Sequence, residues 1–289
     1  MVDLQAAYQS CERDVRGHYE NFPVASVLIP RRMRHHVAAV YAFARAADDF
    51  ADEGQLAAEE RLRLLAGWQA RLQQAGRGEG FDAPPQRGEP VNSREIFRAL
   101  GETIRTRTLP LELFEDLLSA FRQDVTVSRY ETWTSLLDYC RRSANPVGRL
   151  VLRIAGYRDA RLDAWSDAIC TALQLTNFWQ DQAADADRGR VYVPAEANRA
   201  TPAETIGAVI GRTRGLFHDG RPLCDAVHGR LRYELRATWL GGVRILDRLE
   251  AARPGATGSR PTLGAADLPW FAWHMLTWGN RTHSGLRAQ

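Results

Sequence analysis

Apolar residues recur at three- and four-residue spacing along almost the whole chain, in segments near 33–53, 57–75, 93–107, 110–126, 131–142, 146–156, 160–185, 203–228, 230–251 and 264–279. That period predicts helices. Runs in which β-branched residues alternate with polar ones are scarce, so no strand is expected. Short turns rich in Gly, Pro, Asn and Asp separate the segments. One longer polar stretch, "AGRGEGFDAPPQRGEPVN", forms a solvent loop at about 76–93, and "ARPGATGSRPT" at 252–262 breaks the chain before a final helix at about 264–279. No repeat of fixed period is evident. The pattern predicts a single all-α domain over residues 1–289.

Composition narrows the class. With 289 residues, 45% of them hydrophobic, the chain can bury a substantial core. No basic segment leads into an N-terminal apolar run, and no apolar stretch is long enough to span a bilayer, so the cytoplasm is the expected address. Cys11, Cys140, Cys170 and Cys224 lie far apart without a CxxC pair, which predicts reduced thiols rather than a zinc site or a disulfide framework. A net charge of +3 is too mild to imply nucleic acid as a partner.

The chemistry concentrates in two places. In "YAFARAADDFADE", residues 41–53, an apolar run ends in Asp48, Asp49, Asp52 and Glu53. Asp48 and Asp52 project from one helix face a turn apart and repel unless a cation intervenes. A solvated acidic turn is the plain alternative, but a helix C-terminus disfavours negative charge. Far downstream, "LQLTNFWQDQAADADRGRVYVP" sets Gln174, Asn177, Asp181 and Asp185 at spacings of three, four and four, a polar stripe beside Leu173, Leu175, Phe178 and Trp179. Two such stripes in one helical chain suggest a shared cavity. Magnesium suits it, since that hard cation takes oxygen ligands and bridges a few carboxylates to phosphate oxygens; the His/Cys arrangement that zinc would want is missing.

These segments, together with "RYETWTSLLDYCRRSANPVGRL", resemble the squalene and phytoene synthase family of head-to-head prenyl transferases. The stretch "YENFPVASVLIPRRMRHHVAAVYAFARAADDFADEG" is most similar to its bacterial hydroxysqualene synthase subgroup, of hopanoid biosynthesis. The likeness runs from about residue 18 to 265. It implies an isoprenoid synthase fold, with two aspartate-rich helices facing each other across a central cavity and a cluster of Mg2+ ions on a prenyl diphosphate. Asp48, Asp49 and Asp52 match the first motif, and Asp181 and Asp185 the second, with Asn177 and Gln174 as the polar residues before it. Arg45 matches a diphosphate-supporting arginine and Tyr139 a tyrosine near the reacting carbons. Asn21 and Phe22 stand where many members begin with Lys-Ser-Phe. Ala184 replaces an acidic residue common just before Asp185, so metal is expected to be held less tightly there.

The subgroup ionises presqualene diphosphate, rearranges the cation and captures it with water, giving hydroxysqualene and diphosphate without a reductant. Such chemistry calls for electrostatic support of the leaving group and a dry pocket, for which Phe22, Phe43, Tyr139, Phe178 and Trp179 are aromatic candidates and equally candidates for ordinary core. Asn145 is the candidate to hold the captured water; as a residue before Pro146 it could instead cap a helix. Arg188 and Arg190 either reach the diphosphate or cap carbonyls. His35 and His36 sit at a solvated helix start or at the diphosphate entrance. "LPWFAWHMLTW" is a packed terminal helix or a peripheral contact with the inner face of the cytoplasmic membrane, where neighbouring hopanoid-pathway enzymes would also be met. Two other functions compete: a sibling enzyme on the same fold that makes presqualene diphosphate, squalene, phytoene or dehydrosqualene from prenyl diphosphates such as farnesyl diphosphate, and a non-catalytic assembly factor.

Overall fold

The computed structural model describes residues 3–17, 28–52, 54–81, 83–251 and 260–281. Its helices are α1 (Leu4–Gly17), α2 (Arg31–Asp52), α3 (Ala58–Gly76), α4 (Ser93–Arg107), α5 (Leu111–Thr126), α6 (Trp133–Ser143), α7 (Asn145–Ala155), α8 (Ala160–Gln180), α9 (Gln182–Asp187), α10 (Pro202–Gly220), α11 (Leu223–Ala226), α12 (Gly229–Ala251) and α13 (Leu268–Leu276). No strand occurs among the described residues; extended pairing is confined to one isolated bridge, Arg129 with Val191. The all-α expectation holds.

Three departures from the periodic reading have local causes. Helix α1 was not expected; it buries small residues, Ala7, Cys11 and Val15, at four-residue spacing against α2 and α4. The segment 160–185 breaks at Asp181, whose φ of −103° and ψ of 11° leave the helical region. The segment 203–228 breaks at Pro222, which has no N–H to continue α10.

Helix α2 runs through the core, packed by α1, α3, α4, α5 and α7. Phe43 sits at its centre among Trp68, Phe97 and Phe114, with ring centroids 5.5–6.1 Å away. Each fully buried aromatic of this kind contributes roughly 1.5–3 kcal/mol. The indole of Trp68 donates to the Phe43 carbonyl at 3.1 Å, tying α3 to α2. A second cluster gathers α6, α8 and α10 around Tyr139, Leu175, Phe178 and Trp179. Helices α7 and α8 approach so closely that a Cβ at Gly148 would stand 2.3 Å from Ser166 Oγ and 2.5 Å from Cys170 Sγ. Only glycine fits.

The long polar stretch before α4 is less free than its composition suggests. Arg71, on α3, is buried and pairs with the buried carboxylate of Glu89, also donating to Ser93 Oγ at 2.9 Å and to the Ala83 carbonyl at 3.1 Å. One guanidinium thus pins the loop to the bundle. Arg71→Met strands Glu89 as an unpaired buried charge and should cost about 3–5 kcal/mol, measured by denaturant unfolding. Adding Glu89→Gln should return a large part of that loss.

Candidate functional site

A cavity of about 380 Å³ opens between α2, α5, α6, α7, α8 and α9, closed on one side by residues 188–192. Its two ends differ in kind. Val37, Val40, Val147, Leu150, Val151 and Ile154 form an apolar end, because α2 and α7 both turn their valine- and leucine-bearing stripes inward. The other end carries Asp48 and Asp52 from the last turns of α2, facing Gln174, Asn177 and Asp181 of the α8 end and Asp185 of α9. Arg45, Arg188 and Arg190 line the same end. Between the two ends stand Tyr41, Tyr139, Phe178 and Tyr192, the last two stacked at 3.7 Å between centroids and 5° between planes.

The acidic residues are set by several devices. Helix α2 ends just after them, and Arg61 of α3 holds that end and the turn beyond it, donating to Phe50 O of α2 at 3.1 Å and to Gly54 O at 2.8 Å and Leu56 O at 3.2 Å in the turn. Gly54, at φ +72°, makes the turn that lets the chain return to that guanidinium. Arg190 grips Asp52 with both ends of its fork, at 2.9 and 2.6 Å. Arg260 does the same to Asp181, with its Nη2 at 2.9 Å. Asp49 turns away from the cavity lining toward Arg45 Nε, 2.8 Å distant. Glu53 lies outside the described residues.

Two further residues were not legible in the acidic motifs. Tyr139 donates its hydroxyl to Asp124 Oδ2 at 3.0 Å, and Asp124 itself lines the cavity. The signal was present but faint: Leu117, Ala120, Phe121 and Asp124 share one face of α5, so a lone acid ends an apolar stripe. Tyr192 completes the aromatic wall from a non-helical segment. Burial pushes the Asp124 carboxyl up to about 7, with the Tyr139 hydrogen bond pulling the other way. Burial first, and the charge of Asp52 second, push Asp48 up to about 7 as well. Asp185 is raised by burial and by Asp181.

Other expected positions fall elsewhere. Asn145 is not among the cavity-lining residues; its Oδ1 accepts from Thr171 Oγ1 at 2.9 Å, and it is the first residue of α7, with Ala144 in the cap position. That bond is a buried tie between α7 and α8. Phe43 belongs to the α2 core, and Trp179 donates its indole N–H to Thr213 Oγ1 at 2.8 Å, so neither faces the cavity. His36 is buried and bonds Thr103 Oγ1 at 2.9 Å; burial and His35 lower it to about 3, so it is a neutral tie between α2 and α4 rather than an entrance residue. Asn21 and Phe22 lie outside the described residues.

The donor set suits a hard divalent cation. It consists of carboxylate and amide oxygens, and the upward shift of Asp48 comes first from its burial and second from the charge of Asp52. Among the described residues no group of three acidic, His or Cys side chains gathers closely enough to hold an ion alone. An ion shared between one or two carboxylates, water and a phosphate-bearing ligand fits that spacing.

A sequence profile described as squalene/phytoene synthase matches residues 15–267. The chain belongs to the squalene/phytoene synthase family. Hydroxysqualene synthase from Sinorhizobium fredii is 41% identical over 258 residues, covering 83% of each chain. Hydroxysqualene synthase from Zymomonas mobilis is 39% identical over 218 residues, 73% of this chain and 65% of that one. The crystal structure of a squalene synthase from Alicyclobacillus acidocaldarius superposes with a TM-score of 0.75 at 38% identity, over 86% of this chain and 94% of that one. The family's isoprenoid synthase fold is therefore the fold of this chain.

The Asp48 shift sets a pH dependence of the metal-free protein. Its folded value lies above the unfolded one, so its deprotonation penalises the folded state. The penalty grows as pH rises from about 4 to about 7 and persists above that. With chelator present, Asp48→Asn should unfold a few degrees higher than the parent at pH 8 and at the same temperature near pH 4. Thermal unfolding across that range checks both ends.

Proposed function

We propose that this protein is a magnesium-dependent hydroxysqualene synthase, converting presqualene diphosphate and water to hydroxysqualene and diphosphate. The observation that carries the reading is the two-ended cavity: carboxylates from two facing helices and three arginines at one end, valine, leucine and aromatic surface at the other. A prenyl diphosphate is divided in the same way. The identity to hydroxysqualene synthases over most of the chain supports the choice among family activities.

Asp48, Asp52, Asn177, Asp181 and Asp185 would hold the metal, with Asp49 supporting through Arg45. Bound there, magnesium neutralises charge on the departing diphosphate. Arg45, Arg188 and Arg190 bind the diphosphate oxygens beside it, with Gln174 as a neutral donor. Breaking the C–O bond leaves both electrons on the diphosphate and a cation on carbon. Phe178, Tyr139 and Tyr192 then offer ring faces to that cation, each contact contributing about 0.5–2 kcal/mol. The apolar residues of α2 and α7 hold the hydrocarbon arms and exclude bulk water. One water must still reach the cation, form the new C–O bond and lose a proton. Since Asn145 points elsewhere, the polar groups that line the cavity, Ser143 and Gln174, are better placed to hold that water.

No described helix is long and apolar enough to cross a membrane. The exposed Leu268, Trp273 and Leu276 of α13 supply a face for peripheral contact with the cytoplasmic membrane, where so apolar a substrate and product, and the neighbouring enzymes of the pathway, would be met.

Purified protein incubated with magnesium and presqualene diphosphate should release diphosphate and yield hydroxysqualene in the organic extract. Asp48→Asn and Asp52→Asn should each lower turnover by at least about a hundredfold while the fold survives; Asp185→Asn should cost less, for want of an acidic neighbour. Near-normal turnover in the first two variants with an unchanged magnesium response would sink the assignment. Exclusive conversion of farnesyl diphosphate to another hydrocarbon would move the protein to a sibling activity.

A further inference from the structure

The reaction proposed above needs one water at the cation, and in the loaded cavity each end is taken. Metal and diphosphate fill the acidic end, and the hydrocarbon arms fill the apolar one. What remains is the aromatic wall between them, and a second chamber lies behind that wall. It measures about 370 Å³ and is formed by α9, the segment 190–193 and the start of α10. Phe178 and Tyr192 line both chambers, as do Asp185 and Arg190. Gln182, Asn198 and Arg199 give the second chamber polar surface and Ile206 an apolar patch; Asn198 and Arg199 are exposed, so it opens to solvent. A space of that size and polarity has room for on the order of ten waters, at about 30 Å³ each.

The two rings of the partition are not held alike. Phe178 is buried and belongs to α8. Tyr192 stands on a non-helical strip whose backbone is pinned on both sides, with Val191 N donating to Ser128 O at 2.8 Å and Ala195 N to Tyr130 O at 3.0 Å. Its neighbours are also tied through their hydroxyls: that of Tyr139 donates to Asp124, and that of Tyr130 accepts from Gln123 at 3.1 Å. Tyr192 is held by ring contacts with Phe178, Tyr130 and Tyr139. A ring kept in place by stacking, on a fixed backbone, swings without moving a helix.

Resting on the function proposed above, we infer that the second chamber supplies the water that ends the reaction, with Tyr192 as the leaf past which single waters enter. The stacked wall bars bulk solvent, and a water that passes it arrives at the ring faces that support the cation. Its oxygen forms the new C–O bond, and the proton it sheds goes to the freed diphosphate. Where no water arrives, the cation ends instead by losing a proton from a neighbouring carbon to the same base, which leaves an alkene in place of an alcohol. The chamber thus sets the ratio of alcohol to alkene without touching the substrate.

The test uses the full chain with magnesium and presqualene diphosphate. Ile206→Trp and Asn198→Trp each put a large ring into the second chamber from a residue that does not line the first. Both should release diphosphate within about twofold of the parent rate, while the ratio of alcohol to alkene in the organic extract falls at least about fivefold. Ile206→Ala, which disturbs the same α10 contact but leaves the chamber open, should keep the parent's ratio. An unchanged ratio in both tryptophan variants, or a fall of the same size in Ile206→Ala, would overturn the inference and leave the proposed activity in place. Slower diphosphate release at an unchanged ratio would overturn it too, by assigning the chamber to a hydrocarbon arm. A parent that makes no alcohol fails earlier, at the function itself, and the inference falls with it.

Discussion

Negative charge gathered at two helix ends is the constraint to which the rest of the structure answers. Three aspartates lie in the last turn and a half of α2, where the helix dipole already disfavours them. They face a second acidic group at the α8–α9 junction across a cavity with apolar walls. Left alone, this arrangement would favour separation of α2 from α8. The chain counters with arginine: Arg61 on the Phe50 carbonyl, Arg45 on Asp49, Arg190 on Asp52 and Arg260 on Asp181. Even so, Asp48 retains a raised affinity for its proton, chiefly because it is buried and secondly because Asp52 stands beside it.

The apolar half of the cavity depends on the opposite kind of force. Phe43, Trp68, Phe97 and Phe114 lock α2 against α3, α4 and α5, and the indole bond from Trp68 fixes its height. With α2 held from behind, its front face can spend Val37, Val40 and Tyr41 on lining a cavity instead of filling a core. Asn145 and Thr171 then tie α7 to α8 below that lining. Helix α2, read along its length, thus places both carboxylates and hydrocarbon surface, with α8 facing its acidic end and α7 its apolar end.

Much of this was legible in the chain. Long periodic segments gave α2 to α8, and the acid spacings marked Asp48, Asp52, Asp181 and Asp185, all of which reach the cavity. What escaped has physical reasons. Helix α1 packs with Ala7 and Cys11, too small to raise the periodic signal. Asp124 is a single acid without a partner in sequence, and its meaning comes only from Tyr139 across the α5–α6 packing. Arg61 and Arg260 act over turns and tens of residues, and no local pattern separates them from the many other arginines. Asn145 misled for the converse reason: a polar residue in a small apolar segment looks aimed at a cavity, yet its helix turns it to Thr171.

Gly148 has a consequence of another order. On α7 it lies beside Val147 and Val151, which face the cavity, while its own missing side chain lets α8 come to van der Waals distance. The gap between these helices is therefore gauged by a single absent methyl group. Restoring that methyl would push α7 toward the hydrocarbon chamber or α8 away from it, and overpacking of this sort costs typically about 1–3 kcal/mol. Chamber width and fold stability are coupled at one backbone position, so a lineage drifting toward a longer or shorter isoprenoid could not adjust the chamber there without loosening the bundle. Selection for substrate length would have to act on the lining side chains and leave this helix contact alone.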